Sequence, residues 1–322
     1  MIYSKISGTG AYLPEKILKN ADLEKIVDTN DQWIRERTGI EQRHISADDE
    51  LCSDLGTNAA RQAMENAGVN AEDIDLIVVA TSTPDRMFPS TACIIQSKIG
   101  AKCPAFDVTA ACSGFLYALS IADNYIRAGV AKNALVIGAE TYSRILNWKD
   151  RNTCILFGDG AGAVVLQATD KPGVMSVDIN ADGNYQDLLG IPWGVSQSYD
   201  ALTEESKWFD MKGNEVFKHA VKTLSAIALD ALEKNGFDPY TTDYWLVPHQ
   251  ANIRILKSTA KKMKLSEDKV IVTVDKHANT SAASVPLALH GALESGRIKT
   301  GDLAVLEAFG GGLTWGAALV RI

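Results

Sequence analysis

Two spacings of apolar residues alternate along this chain. Short continuous runs such as Leu76-Ile77-Val78-Val79, after Asp75, read as buried strands. Between them the apolar residues return every three or four positions. Leu116, Leu119, Ala122 and Ile126 share one face of a helix reaching Arg127, which Gly129 would cap. Ile253, Leu256, Ala260 and Met263 form a similar inward stripe over residues 252–264. Strand runs alternating with helical runs predict an α/β fold.

The pattern repeats. Ala63-Met64-Glu65-Asn66-Ala67-Gly68 followed by the strand run at Asp75 is echoed by Ala231-Leu232-Glu233-Lys234-Asn235-Gly236 followed by one at Asp243, without a gap. Cys112 to Gly129 and Asn279 to Gly296 are runs of equal length. The halves close alike, on Gly162-Ala163-Val164-Val165-Leu166 and Gly316-Ala317-Ala318-Leu319-Val320. The simplest reading is a duplicated α/β unit, residues 1–170 and 171–322, packed about a pseudo-twofold axis. Cys112 and Asn279 are then expected at equivalent helix starts, facing one another.

Composition narrows the function. A chain of 322 residues with net charge −8 offers nothing for nucleic acid or an anionic membrane to recognise. No apolar run approaches the roughly 20 residues that span a bilayer, and the N-terminus has no signal-peptide pattern. The five cysteines are odd in number and lack C-x-x-C spacing, which argues against a disulfide framework or a zinc site. A reducing, cytoplasmic setting is expected.

Within this frame a few residues carry chemistry. Ala110-Ala111-Cys112-Ser113-Gly114 sits between a strand run and a helix run, so the thiol is expected at a helix N-terminus, with a lowered pKa. On position alone, a buried core cysteine is the slightly favoured reading. Val247-Pro248-His249 delivers a histidine just past a strand's C-terminal end, where α/β sites usually lie. Asn279 reads equally as an ordinary N-cap. Phe309-Gly310-Gly311-Gly312 is either a flexible turn or a place where a backbone N–H approaches a substrate oxygen.

Cys112, His249, Asn279 and this glycine turn, in this order, closely resemble the β-ketoacyl-acyl-carrier-protein synthase III family of the thiolase-like superfamily. The likeness runs from Gly8-Thr9-Gly10 through Thr38-Gly39-Ile40 and Phe157-Gly158-Asp159-Gly160-Ala161-Gly162 to Leu319-Val320-Arg321. The resemblance implies a thiolase-like fold of two α/β halves layered α-β-α-β-α. It implies decarboxylative condensation of a short acyl-CoA primer, such as acetyl-CoA, with malonyl-acyl-carrier protein, without a resident cofactor or metal. Cys112 would be the nucleophile, the N–H groups of Cys112 and Gly311 the oxyanion donors, and His249 and Asn279 the enolate donors. Thr29, Trp33, Arg151, Gly213 and Asn252 would hold CoA, with Trp33 and Arg151 sandwiching the adenine. Arg254, Lys257, Lys261 and Lys218, extended by Lys222 and Lys262, would meet the acidic carrier protein. Phe88 and Phe309 would line the acyl pocket, Phe88 reaching it across a homodimer interface or staying in its own core. Ala278 stands where the family has glycine.

Two other readings compete. One is a relative using the same three residues in a quinolone or polyketide pathway. The other is a non-catalytic partner subunit, which the presence of all three residues disfavours.

Overall fold

The computed structural model describes all 322 residues. Nine strands build two main sheets. They are β1 (Tyr3–Tyr12), β2 (Leu76–Ala80), β3 (Ala105–Val108), β4 (Asn133–Thr141), β5 (Asp159–Thr169), β6 (Val174–Ala181), β7 (Trp245–Pro248), β8 (Leu303–Gly310) and β9 (Thr314–Arg321). The helices of eight residues or more are α1 (Asp31–Thr38), α2 (Cys52–Ala67), α3 (Thr91–Ile99), α4 (Gly114–Arg127), α5 (Gly213–Lys234), α6 (Ile253–Met263) and α7 (Ser284–Glu294).

The first sheet has the order β1-β5-β4-β2-β3, drawn wholly from residues 3–169. The second has the order β6-β9-β8-β7, drawn wholly from residues 174–321. Pairing directions match position by position. β2 is parallel to β4 and β7 to β8, while β5 and β9 run antiparallel to both of their neighbours. The counterpart of β3 in the second half is reduced to one parallel bridge, Leu246 to Val270.

The expected layering is present. α2 covers the outer face of the first sheet, α4 and α7 lie between the sheets, and α5 covers the outer face of the second with α6 against it. The middle layer explains the continuous apolar runs, because strands covered on both faces have no solvent side to alternate with. Leu76, Val78, Leu116, Leu119, Ala122 and Ile126 share the largest hydrophobic cluster, and all are fully buried. Fully burying a side chain of the leucine or isoleucine class is worth roughly 1.5–3 kcal/mol. The central helices are therefore held by packing more than by propensity. No helix is long and apolar enough to cross a membrane.

The helical stripe over residues 252–264 forms with one change. Ile255 joins Leu256, Ala260 and Met263 in the buried face, and Ile253 is only half-buried. The Asn252 side chain caps this helix by accepting from the Ile255 N–H at 3.0 Å.

The matched helix starts need a correction. α4 has 14 residues and α7 has 11. Each is entered through a single 3₁₀ turn whose first residue has positive φ, Ala111 at 45° and Ser281 at 49°. The equivalent of Cys112 is therefore Ala282, and Asn279 lies three residues upstream in the approaching loop. The equal run lengths were set by the glycines ending both helices, Gly129 and Gly296. α7 is nearly one turn shorter, and its missing residues went into the loop.

Candidate active site

The two 3₁₀ turns that enter α4 and α7 pack on one another between the sheets. Cys112 is in the first of them and is almost wholly buried. β8 ends against it at Gly310, where a Cβ would stand 2.6 Å from the Cys112 backbone nitrogen. Only glycine allows that approach. The N–H groups of Cys112 and Gly311 make no backbone hydrogen bond.

The lowered thiol pKa expected from a helix N-terminus is not found. Burial pushes the Cys112 thiol up to about 12, the charge of Glu140 adds to this, and the Ser281 hydroxyl and the cysteine's own N–H act against it. The physical reason is local. The Ser113 and Gly114 N–H groups are spent on Ala110 and Ala111 within the 3₁₀ turn. They do not solvate the sulfur, and desolvation dominates.

His249 follows β7 and is held by its own N–H on the Glu307 carbonyl at 2.7 Å. Its Nδ1 lies 2.6 Å from the Ser284 hydroxyl at the start of α7. Burial drives the imidazole down to about 3, so it is neutral. A neutral ring has one N–H. With Ser284 donating to Nδ1, that N–H belongs on Nε2. Gln250, fully buried beside it, ties the loop to Pro248, Ile271, Thr273 and Val274 through four hydrogen bonds of 2.8–3.1 Å.

Asn279 is positioned by the glycine motif of the first half. Its N–H donates to the Leu156 carbonyl at 2.9 Å, and its carbonyl accepts from Gly158 at 3.0 Å. A Cβ at Gly158 would meet the His277 carbonyl and the Arg43 side chain, each at 3.0 Å, so this crossing demands glycine. Asp159 braces the motif by accepting from Ser46 and Ser143 at 2.6–2.9 Å. The Asn279 Oδ1 accepts from the Ser281 N–H at 2.9 Å, leaving its NH₂ free to donate elsewhere. Ala278 has φ 57° and ψ −159°, a region that disfavours any Cβ.

Cys112, His249 and Asn279 line one cavity of about 560 Å³. Phe157 and Phe309 form part of its apolar wall, and Gly213, Asn252, Lys218 and Arg254 stand along it. The Arg151 guanidinium lies 5.2 Å from the Trp33 ring centroid, and Arg37, not anticipated from the sequence, lies at the same distance. Thr29 Oγ1 is buried without a partner. Arg254 sits over Phe217 at 5.5 Å. Lys257 and Lys261 are exposed farther along α6, Lys257 with Glu267 at 3.4 Å. Lys222 and Lys262 are exposed as well. Phe88 is 82% exposed, which rules out a place in its own core. Ser284, Gln250 and Ser281 gave no sequence signal, since their roles depend on partners far along the chain.

Residues 106–183 match the family described as 3-Oxoacyl-[acyl-carrier-protein (ACP)] synthase III, and residues 232–322 match its C-terminal part. The chain is 55% identical over 323 residues to a beta-ketoacyl-[acyl-carrier-protein] synthase III of Alkalilimnicola ehrlichii, covering 100% of both chains. Its structure is similar to that of a 3-oxoacyl-[acyl-carrier-protein] synthase III from Aquifex aeolicus, with TM-score 0.92, 46% identity, and 99% and 100% of the two chains covered. The priming β-ketosynthase of the R1128 polyketide pathway is also similar, with TM-score 0.94, 34% identity, and 99% and 96% covered.

Proposed function

The chain belongs to the 3-oxoacyl-[acyl-carrier-protein] synthase III family, and from that membership we propose how its residues share the reaction. The protein is an acyltransferase that starts fatty-acid synthesis by condensing an acyl-CoA primer with malonyl-acyl-carrier protein. The first half-reaction acylates Cys112. Its sulfur attacks the thioester carbonyl, the oxyanion is met by the unused N–H groups of Cys112 and Gly311, and CoA departs with the proton lost by the thiol. Removing one such donor typically costs roughly 3 kcal/mol of barrier.

In the second half-reaction the malonyl thioester loses CO₂ and becomes an enolate. His249 Nε2–H and the Asn279 NH₂ donate to its oxygen. A neutral imidazole suffices, because loss of CO₂ generates the carbanion without a base. The enolate carbon attacks the acyl carbon on Cys112, the bond from that carbon to Cys112 Sγ breaks, 3-oxoacyl-carrier protein leaves, and the freed sulfur takes up one proton from solvent to restore the thiol. No resident cofactor is needed for either step. The observation that carries this reading is the gathering of Cys112, His249 and Asn279 on one cavity from three distant chain segments.

CoA enters along the same cavity, its adenine between Trp33 and Arg151, with Thr29, Gly213 and Asn252 along the pantetheine. Arg254, Lys218, Lys257 and Lys261 receive the acidic carrier protein. The exposed Phe88 supports a homodimer in which it reaches the partner's acyl pocket. Five free cysteines support a reducing compartment, the cytoplasm. Mass spectrometry after incubation with mixed acyl-CoAs tests the core of this reading. One acyl mass is expected on the Cys112 peptide, absent from Cys112→Ala, and an adduct that survives that substitution refutes it. Malonyl-CoA preferred over malonyl-carrier protein as acceptor would favour the polyketide-type reading.

A further inference from the structure

The two oxyanion donors come from opposite halves of the chain. The Cys112 N–H belongs to the 3₁₀ turn before α4, and the Gly311 N–H to the turn between β8 and β9. Neither makes a backbone hydrogen bond, so no ladder fixes one against the other. The two turns are nevertheless in backbone contact. A Cβ at Gly310 would stand 2.6 Å from the Cys112 nitrogen and 3.1 Å from the Ser113 nitrogen. A shift of either turn is therefore a shift of one donor relative to its partner.

Thr314, the first residue of β9, spans this contact. Its Oγ1 lies 3.0 Å from the Ala110 carbonyl, 3.0 Å from the Gly311 carbonyl and 2.7 Å from Ser113 Oγ. Ser113 Oγ is itself 2.8 Å from the Ala110 carbonyl. That carbonyl also accepts the Ser113 N–H at 3.1 Å, the bond that closes the turn carrying Cys112. Two hydroxyls hold two protons. Ser113 donates to Ala110 or to Thr314, and either way the Thr314 proton is free for Gly311, whose carbonyl has no other donor. Thr314 is the one side chain outside the Cys112 turn that hydrogen-bonds both turns.

The hydroxyl is also hard to swing away. Thr314 Cγ2 packs over Gly312, where a Cβ would stand 2.9 Å from it. Branching at Cβ stiffens χ1. The side chain is thus held with its oxygen toward the two carbonyls and its methyl toward Gly312.

We propose that Thr314, with Ser113, is a clasp that sets the spacing of the Cys112 and Gly311 N–H groups. The proposal rests on Cys112 being the nucleophile and on those two groups meeting its oxyanion. Thr314 touches neither substrate nor sulfur and acts as a positioning residue. Donors stabilise a developing oxyanion only when they are in place before the charge appears, and a misplacement of about 1 Å can cost about 100-fold in rate. The clasp serves acylation, and again the attack of the enolate on acyl-Cys112, because both pass through an oxyanion at the same place. Loss of CO₂ draws on His249 and Asn279 and does not need it.

Thr314→Val tests this, since it keeps the branched shape and removes only the hydroxyl. Acylation of Cys112 by acetyl-CoA, followed in single turnover by quenching and mass spectrometry, should slow about 10- to 100-fold at saturation. The half-saturating acetyl-CoA concentration should change less than about threefold. Thr314→Ser should recover part of the rate. CO₂ release from malonyl-carrier protein by enzyme acylated beforehand should stay within about threefold of wild type. A spectroscopic readout separates aim from general damage. With acetyl-CoA labelled by ¹³C at the carbonyl, isotope-edited infrared spectra report the thioester carbonyl on Cys112. In the wild type its band should lie below that of a free thioester, and in Thr314→Val it should move back toward that value. Acylation at the wild-type rate overturns the clasp, as does an unmoved band or an equal loss of acylation and CO₂ release. If Thr314→Val does not fold, Thr314→Ala decides by the same criteria. A wild-type band at the free-thioester position overturns the oxyanion assignment, and the clasp with it. A wild-type protein that takes no acyl group on Cys112 overturns the nucleophile reading beneath both.

Discussion

Replacing Ser284 by alanine should disable one half-reaction and spare the other. The Ser284 hydroxyl is 2.6 Å from His249 Nδ1, and both residues are buried. The histidine is neutral because desolvation drives it down to about 3, so its single ring proton can sit on either nitrogen. With Ser284 donating to Nδ1, the N–H is kept on Nε2. Alanine removes that donor and fills nothing in its place. A buried Nδ1 left unpaired costs about 1–3 kcal/mol in either tautomer, so nothing then holds the N–H on Nε2 or fixes the aim of the ring. The enolate then loses a donor. At about 1.4 kcal/mol per tenfold, decarboxylation should fall roughly 10- to 100-fold. Acylation of Cys112 uses no proton of His249 and should change by less than about threefold. The two rates are measured separately, acylation by quenched mass spectrometry and decarboxylation by release of labelled CO₂ from malonyl-carrier protein on acylated enzyme. Ser284→Thr, which keeps a hydroxyl, should recover much of the loss. Equal damage to both steps, or undisturbed decarboxylation, would falsify the tautomer argument.

Other consequences are open to measurement. Ala278 sits at φ 57° and ψ −159°, which costs a residue with a Cβ on the order of 2 kcal/mol. Glycine would relieve that but add about 0.7 kcal/mol of unfolded-state freedom and lose about 0.8 kcal/mol of buried methyl. Ala278→Gly should therefore leave the urea midpoint nearly unchanged, and destabilisation beyond about 1.5 kcal/mol would contradict the strain assigned there. Arg254→Glu should raise KM for malonyl-carrier protein about tenfold and flatten its salt dependence, while Cys112 acylation stays near wild type; equal loss of acylation would remove Arg254 from the carrier face. Glu307 is fully buried with neither carboxylate oxygen bonded, and burial raises it from 4.5 to about 8. A raised pKa adds stability that is complete below the unfolded value and is lost as pH rises through the folded one. Relative to Glu307→Gln, the wild type should thus lose about 1.4 kcal/mol per pH unit between roughly pH 5 and 8. Parallel stability curves for the two proteins would refute this. The buried neutral His249 and His277 carry the opposite sign, their contribution fading as pH falls from 6.5 through about 4 and 3, so only the difference between the two proteins isolates Glu307.

Much of the site was legible in the sequence because its residues sit at ends of elements. Cys112 precedes a helix, His249 follows a strand and Gly311 follows another. Such junctions are marked by a change of apolar spacing, which a linear reading detects. The duplication was legible for the same reason, since glycine stops and strand runs keep their spacing through both halves. The register of Asn279 was not. Equal run lengths pointed to a match with Cys112, but the second helix begins three residues later, and only the paired 3₁₀ turns reveal Ala282 as the counterpart.

Sequence alone determined the alternation of strands and helices, the doubled unit and which side chains were chemically able to react. Tertiary structure decided their protonation and aim. Cys112 was expected to be acidic at a helix end, but enclosure between two sheets makes it a weak acid, because desolvation depends on every segment packed around it. His249 Nδ1 finds its partner in a hydroxyl 35 residues away. Asn279 is held by backbone at 156 and 158, and the turn carrying Ser281 meets the turn carrying Cys112 only because both halves of the chain close together. A local sequence pattern records neither distance through space nor the loss of water, and those two quantities set the chemistry of this cavity.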